Sequence, residues 1–296
     1  MQQCMPDGLT QLHLYHRTCS VMPELPEVET TRRGIEPLIV GQRVDDFIVH
    51  QPRLRWPVCP EMPARIQNQT VHSCQRRGKY LLIGFAAGYQ IIHLGMSGSL
   101  RHAPADAERL KHDHAEWRLP GARLLLHDPR RFGAILWHDR TAGPILEHRL
   151  LAHLGVEPLG EEFTPHTLHE GFKNRRLAIK NALLEGKTVV GVGNIYASEA
   201  LFKAGIHPET PAGALSMYRL RKLHQAIVDT IQKALDAGGT TLQDYINATG
   251  APGAYFDLHA LVYGKEGDPC PRCERPILRM VQNQRATFYC RRCQRR

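Results

Sequence analysis

Two C-x-x-C pairs, Cys270/Cys273 and Cys290/Cys293, stand sixteen residues apart near the end of the chain. No other feature constrains the local fold as strongly. Four soft thiolates at this spacing suit one tetrahedral zinc site, closed to water and therefore structural rather than catalytic. The alternative is two separate redox pairs. The surroundings favour zinc, because the last twelve residues carry Arg285, Arg291, Arg292, Arg295 and Arg296 and no acid. A segment of about 30 residues cannot bury enough core to fold alone, so Zn2+ would hold it together. VQNQRATFYC then reads as a hairpin with Arg285 at its turn, a shape fit for a groove or a phosphate. The remaining cysteines, Cys4, Cys19, Cys59 and Cys74, are scattered, which argues against a disulfide framework.

A chain of 296 residues exceeds what one core usually serves, so more than one domain is expected. No apolar run has membrane-spanning length, and residues 1–21 lack the apolar stretch of a secretory signal. The expectation is a soluble, cytoplasmic protein acting as a monomer. A formal charge of +9 points to a polyanionic partner, against the plainer reading of well-solvated basic side chains.

Punctuation and periodicity divide the chain. Residues 1–21 read as a tail. A helix is expected from Pro26, with Gly34 as its stop. VDDFIVH, KYLLIGFA, YQIIHLGMSGSL and ARLLLHD fit strands separated by Gly and Pro turns. The expected class is α+β: a β-sandwich or barrel-like unit over residues 22–152 with a helix at its start, a linker over 153–165, a helical unit over 166–260, and the zinc segment over 261–296. In the helical unit Leu220, Leu223, Ile227, Ile231 and Leu235 recur at three- and four-residue steps, as on a core-facing helix stripe.

Three turns bear on function. VGVGNIY (190–196) places Gly191, Gly193 and Asn194 before a helix, where backbone N–H groups can hold a phosphate, although a glycine turn between packed helices explains the run equally well. Arg175, Arg176 and Lys180 lie nearby in sequence. DPRRFGA (128–134) offers two arginines and Phe132 at a tip, and HLGMSGSL (93–100) offers Met96 on a glycine turn. Each alone reads as an ordinary turn with a tucked side chain. Together, in a basic protein, they read as wedges that fill the stack when a base is flipped out.

PELPEVET (23–30), RRGKYL (76–81), HLGMSGSL, KHDH (111–114), DPRRFGA, VVGVGNIYASEALF (189–202) and the terminal QRATFYCRRCQ resemble the bacterial formamidopyrimidine-DNA glycosylases, collinearly from Met22 to the end. The resemblance implies a sandwich, a helix–two-turn–helix domain and a zinc hairpin acting on duplex DNA that holds an oxidised purine or an abasic site. It implies that Pro23 is the nucleophile once it is the first residue, which requires that translation start at Met22 or that the extension be removed. An α-amine has a pKa of about 8, against about 10.4 for lysine, so more of it is neutral at pH 7. Glu24 would be the acid, with Glu27 behind it, Lys79 a proton donor during β-elimination, and Arg285 the grip on phosphate for δ-elimination. His112, Arg130, Arg175, Lys180 and Asn194 would hold DNA, and Met96, Arg130 and Phe132 would fill the emptied stack. Away from that resemblance, most of these residues have plain readings: a helix-start proline, a glutamate answering a helix dipole, a solvated lysine.

The chain departs from the family pattern at Glu185, where an aspartate is usual nearby, at Arg175, where lysine is common, and in the loop GAPGAYFDLH (250–259). Two rival functions remain: an endonuclease VIII-like glycosylase for oxidised pyrimidines, and a non-catalytic zinc DNA-binding module that uses none of Pro23, Glu24 and Lys79.

Overall fold

The computed structural model describes residues 22–239 and 255–296. The expectation about residues 1–21 lies outside these, as do residues 250–254 of the 250–259 loop.

The first unit pairs eight strands in two antiparallel sheets. One has β1 (Asp46–Val49), β6 (Asp113–Leu119), β7 (Ala122–His127) and β5 (Ser99–Pro104), in that order. The other runs β2 (Ser73–Arg77), β3 (Tyr80–Gly84), β4 (Gly88–His93) and β8 (Ala134–Asp139). Phe47, Leu81, Ile83, Ile92, Trp117, Leu124 and Leu126 meet between them in a shared core, as facing sheets require. The expected sandwich is present, but its strands differ from the expected set. YQIIHLGMSGSL is two strands, β4 and β5, in opposite sheets, with residues 94–98 turning between them. β2, β6 and β8 lie outside the expected set; SCQRR and DHAEWRL carry charge within a strand where alternation is the signal, and AILWHD carries it only at its end.

Helix α1 (Leu25–Ile39) crosses from one unit to the other, and the short α2 (Met62–Ile66) packs by β1. α1 runs through Gly34, its expected stop. An interior glycine costs a helix about 1 kcal/mol, and burying Ile35 and Ile39 completely offsets it at about 1.5–3 kcal/mol each. Val28, Ile35 and Ile39 belong to the sandwich core, whereas Leu25 belongs to the helical core. The start of α1 is therefore pinned at the junction.

The helical unit holds α3 (Pro165–Phe172), α4 (Ile179–Leu184), α5 (Asn194–Ala204), α6 (Met217–Asp236) and α7 (Tyr255–His259). The α6 stripe is buried as its spacing predicts. The expected linker is a clasp rather than a spacer: Val156 donates to Thr188 O and accepts from Val190 N. Glu157 takes hydrogen bonds from Arg76, Arg77 and the Gly78 amide. The chain ends in a hairpin, β9 (Leu278–Gln282) and β10 (Arg285–Tyr289). Its turn residues Asn283 and Gln284 both have positive φ, 46° and 61°, the geometry that suits the strand twist. Arg285 is thus the first residue of β10, just past the turn. Among the described residues no helix is long and apolar enough to cross a membrane.

Candidate active site

Glu24 precedes α1 and is buried. Its Oε1 accepts the Ile195 amide at 3.0 Å, at the first turn of α5. This contact exists because Gly193 has no side chain: a Cβ there would lie 2.1 Å from the Glu24 carboxyl carbon. Gly191, at φ +83°, likewise makes room for Leu25. One reading of VGVGNIY makes its helix start a phosphate cradle. The anion its helix start receives is an internal carboxylate.

The other oxygen of Glu24, Oε2, is buried and has no hydrogen-bond partner. Burial holds the Glu24 pKa above its ordinary value, with Lys79 pulling the other way. A buried carboxyl with one unpartnered oxygen favours the protonated form, which a general acid needs. Glu27 sits behind it, accepting the Glu24 amide at 2.8 Å and the Tyr196 hydroxyl at 2.6 Å.

Glu24 opens on a cavity of about 490 Å³ lined by Met22, Lys79, Met96, Asn194, Tyr263 and the hairpin turn from Asn283 to Ala286. The fold thus gathers Glu24, Lys79, Met96, Asn194 and Arg285 from three regions of sequence. Burial lowers the Lys79 pKa, Glu24 opposes that, and Arg285 adds to it. Pro23 is buried beside Met22, which lines the cavity.

Lys180 differs from its expected place. It is wholly buried, and its ammonium donates to Asn194 Oδ1, Thr287 Oγ1 and Ala286 O at 2.6, 2.7 and 3.1 Å. Burial pushes its pKa down to about 7. Its three donors tie α4 to α5 and to the zinc hairpin, so none is offered to an outside phosphate. Asn194 completes the tie, donating to Tyr263 OH and Ala286 O.

Outside the cavity lining, Arg130 and Phe132 are exposed on the 128–133 turn, with the guanidinium 5.2 Å from the ring centre. Asp128 stitches that turn to the Met96 turn, accepting Ser97 Oγ at 2.6 Å and the Gly133 amide at 2.7 Å. His112 is half-buried at the start of β6, edge-on to His114 and His127. Arg175 forms an ion pair with Glu185 at 2.6 Å, so the two departures from the family pattern meet each other. Sequence reasoning missed Tyr263, Asn283 and Gln284 as cavity residues. The two-residue turn between strands was a readable signal for the last two, and Tyr263 carried none.

The sulfurs of Cys270, Cys273, Cys290 and Cys293 lie within 4.8 Å of one another. Cys270–Cys293 is 3.8 Å and Cys273–Cys290 3.5 Å. A tetrahedron with Zn–S bonds of about 2.3 Å has sulfurs about 3.8 Å apart, so the four residues fit one structural zinc. That zinc would hold the hairpin whose turn closes the cavity.

A β-sandwich joined to a helical unit and a four-cysteine hairpin, with a buried acid at their junction, defines a zinc-finger protein built around a chemical site. Three family models match in order: the formamidopyrimidine-DNA glycosylase N-terminal domain over residues 22–135, its H2TH domain over 154–245, and the zinc finger found in FPG and IleRS over 267–296. The formamidopyrimidine-DNA glycosylases of Bordetella pertussis and Bordetella petrii are 56% and 54% identical to this chain over 275 residues, 93% of it and all of each relative. The MutM (Fpg) crystal structure from Thermus thermophilus superposes with TM-score 0.83 at 39% identity, covering 92% of this chain and 98% of that one. The Lactococcus lactis Fpg in complex with DNA containing an abasic site gives 0.85 at 33% identity, over 93% of this chain and all of that one. The chain belongs to the formamidopyrimidine-DNA glycosylase family.

Proposed function

We propose that this chain excises oxidised purines, 8-oxoguanine and formamidopyrimidines, from duplex DNA and then cuts the strand at the abasic site. The observation that carries this reading is Glu24, a buried carboxyl with a raised pKa and one unpartnered oxygen, on a cavity shared with Lys79 and Arg285. The relatives' activity, and the complexes of the Lactococcus lactis enzyme with Fapy-dG and abasic DNA, support the substrate class.

In this reading Pro23 acts as the first residue, after Met22 and everything before it are gone. Its secondary amine bonds to sugar C1′ as the C1′–base bond breaks and its N–H proton passes to the departing base, and Glu24 gives its proton to O4′ as the C1′–O4′ bond opens. The resulting iminium is cationic without holding a proton, so it draws electrons from C2′. Loss of the C2′ proton then expels the 3′ phosphate, and Lys79 serves that proton traffic. Arg285, fixed just past the hairpin turn, grips the phosphate that leaves in δ-elimination. Met96, Arg130 and Phe132 fill the vacated stack, their two turns held together through Asp128. His112 and Asn194 face the backbone. Arg175 reaches it by exchanging Glu185 for a phosphate, and Lys180 serves by bracing Asn194 and the hairpin.

Borohydride trapping on abasic DNA tests the chemistry. Protein beginning at Pro23 is expected to form a covalent adduct, and protein still carrying Met22 and the upstream residues none. Absence of any adduct points to a DNA-binding module. Cleavage of 8-oxoguanine opposite cytosine should outrun cleavage of thymine glycol, and the reverse order assigns the chain to the pyrimidine branch.

A further inference from the structure

A second cavity, of about 810 Å³, opens where α5 and α6 meet the zinc knuckle. It shares no lining residue with the catalytic cavity. α5 links the two: Asn194 at its start lines the catalytic cavity, and Lys203 and Ala204 at its end line the other. Eleven residues at 1.5 Å each put these ends about 16 Å apart.

The lining is strongly one-signed. Lys203, Arg219, Lys222, Arg272, Arg295 and Arg296 face a single carboxylate, Asp229. Four of the cations have structural work. Arg272 caps the Phe202 and Lys203 carbonyls at the end of α5. Lys203 donates to Thr230, Arg219 to the Arg295 carbonyl, and Arg296 pairs with Glu209. Lys222 and Arg295 are exposed and have no ion pair among the described residues. Beside them Tyr218 is 64% exposed, with the Lys222 ammonium 4.6 Å from its ring centre. Cations beside an exposed aromatic ring are what a nucleic-acid backbone and its bases use together. An acidic peptide would match the charge but leave the ring's exposure without a purpose.

We infer that this cavity is a second DNA site, binding the phosphodiester backbone of a segment other than the one held at the catalytic cavity. The inference rests on the reading of the chain as a DNA enzyme. Its consequence is direct transfer: the knuckle face captures a second segment before the first is released, so the search for damage proceeds without full dissociation.

The test uses a fluorescent, undamaged duplex bound to the protein and chased with unlabelled undamaged duplex. In the parent protein the dissociation rate should climb with competitor concentration. In the Lys222→Glu/Arg295→Glu double variant the slope should fall at least about fivefold, since each reversed charge weakens phosphate contact. Single-turnover excision should not change, because neither side chain touches the catalytic cavity. If the variant instead binds the labelled duplex more weakly, with no competitor dependence in either protein, the phosphates come from the flank of the same duplex and the backbone chemistry stands. Unchanged affinity with a flat competitor response in both proteins overturns the inference. So does a variant that loses binding to poly-glutamate but not to DNA, which assigns the face to an acidic protein. Absence of excision in both proteins defeats the proposed function, while the transfer measurement on undamaged DNA still reads independently.

Discussion

Two buried carboxyls, one on α5 and one held against its first turn, are treated differently. Glu199, in α5, accepts backbone amides from Leu261, Val262 and Tyr263 at 2.8, 2.9 and 2.8 Å, so both of its oxygens are occupied. Glu24, which caps α1 and accepts an amide from the start of α5, has one oxygen bound and one bare. Burial raises the pKa of both. The difference is completeness. A carboxyl whose oxygens are all engaged by fixed amides works as a staple, here holding the turn segment that carries Tyr263. A carboxyl left short of a partner at a cavity wall has chemistry still to do.

That contrast can be broken most sharply by Glu24→Gln. Base excision should fall about 10³-fold, within the usual range for losing a general acid, while strand cleavage at a preformed abasic site should fall far less. Single-turnover assays on the two substrates check this, and equal losses on both would remove the division of labour. Gly193→Ala comes next. A Cβ there must displace the Glu24 carboxyl, so excision should drop about 10²-fold through misplacement of about 1 Å. Glu199→Gln inverts the pattern, with unfolding free energy falling about 1–3 kcal/mol as amides lose their acceptor and excision changing less than in either other variant. Urea melts beside the same kinetic assay separate the two effects.

The smallest effect expected is on pH. Glu24 holds its proton more tightly in the folded chain than its ordinary value of 4.5 implies. Excision should therefore decline as pH rises through the raised value, and Glu24→Gln should lack that limb while Glu199→Gln keeps it. The same sign governs stability: a carboxyl with a raised folded pKa contributes fully at low pH and loses that contribution as pH climbs through the folded value. The parent should thus lose more stability than Glu24→Gln over that window.

Much of this site was readable in the sequence, but unevenly. The zinc ligands and the α6 stripe depend on spacing within one segment, and both are found where spacing puts them. The polar strands β2 and β6 were hidden because their charges are matched by partners distant in sequence: Arg76 with Glu29 and Glu157, and Asp113 with Arg101. Lys180 looked like a surface cation near a glycine turn. Only the packing of α4 against the hairpin, 106 residues further on, makes it a buried brace.

The sequence by itself determined the local units: four thiolates for one metal, a helix with one apolar face, a glycine turn opening a helix, and family membership carried by runs from Pro23 to the terminal cysteines. Tertiary structure alone decided that Glu24 rests on the tip of a helix 171 residues away and that Arg285 meets Lys79 across a cavity. The reason is physical. Spacing encodes what neighbouring residues do together, whereas the meeting of distant residues follows from how two cores bury their surface, and α1 contributes to both.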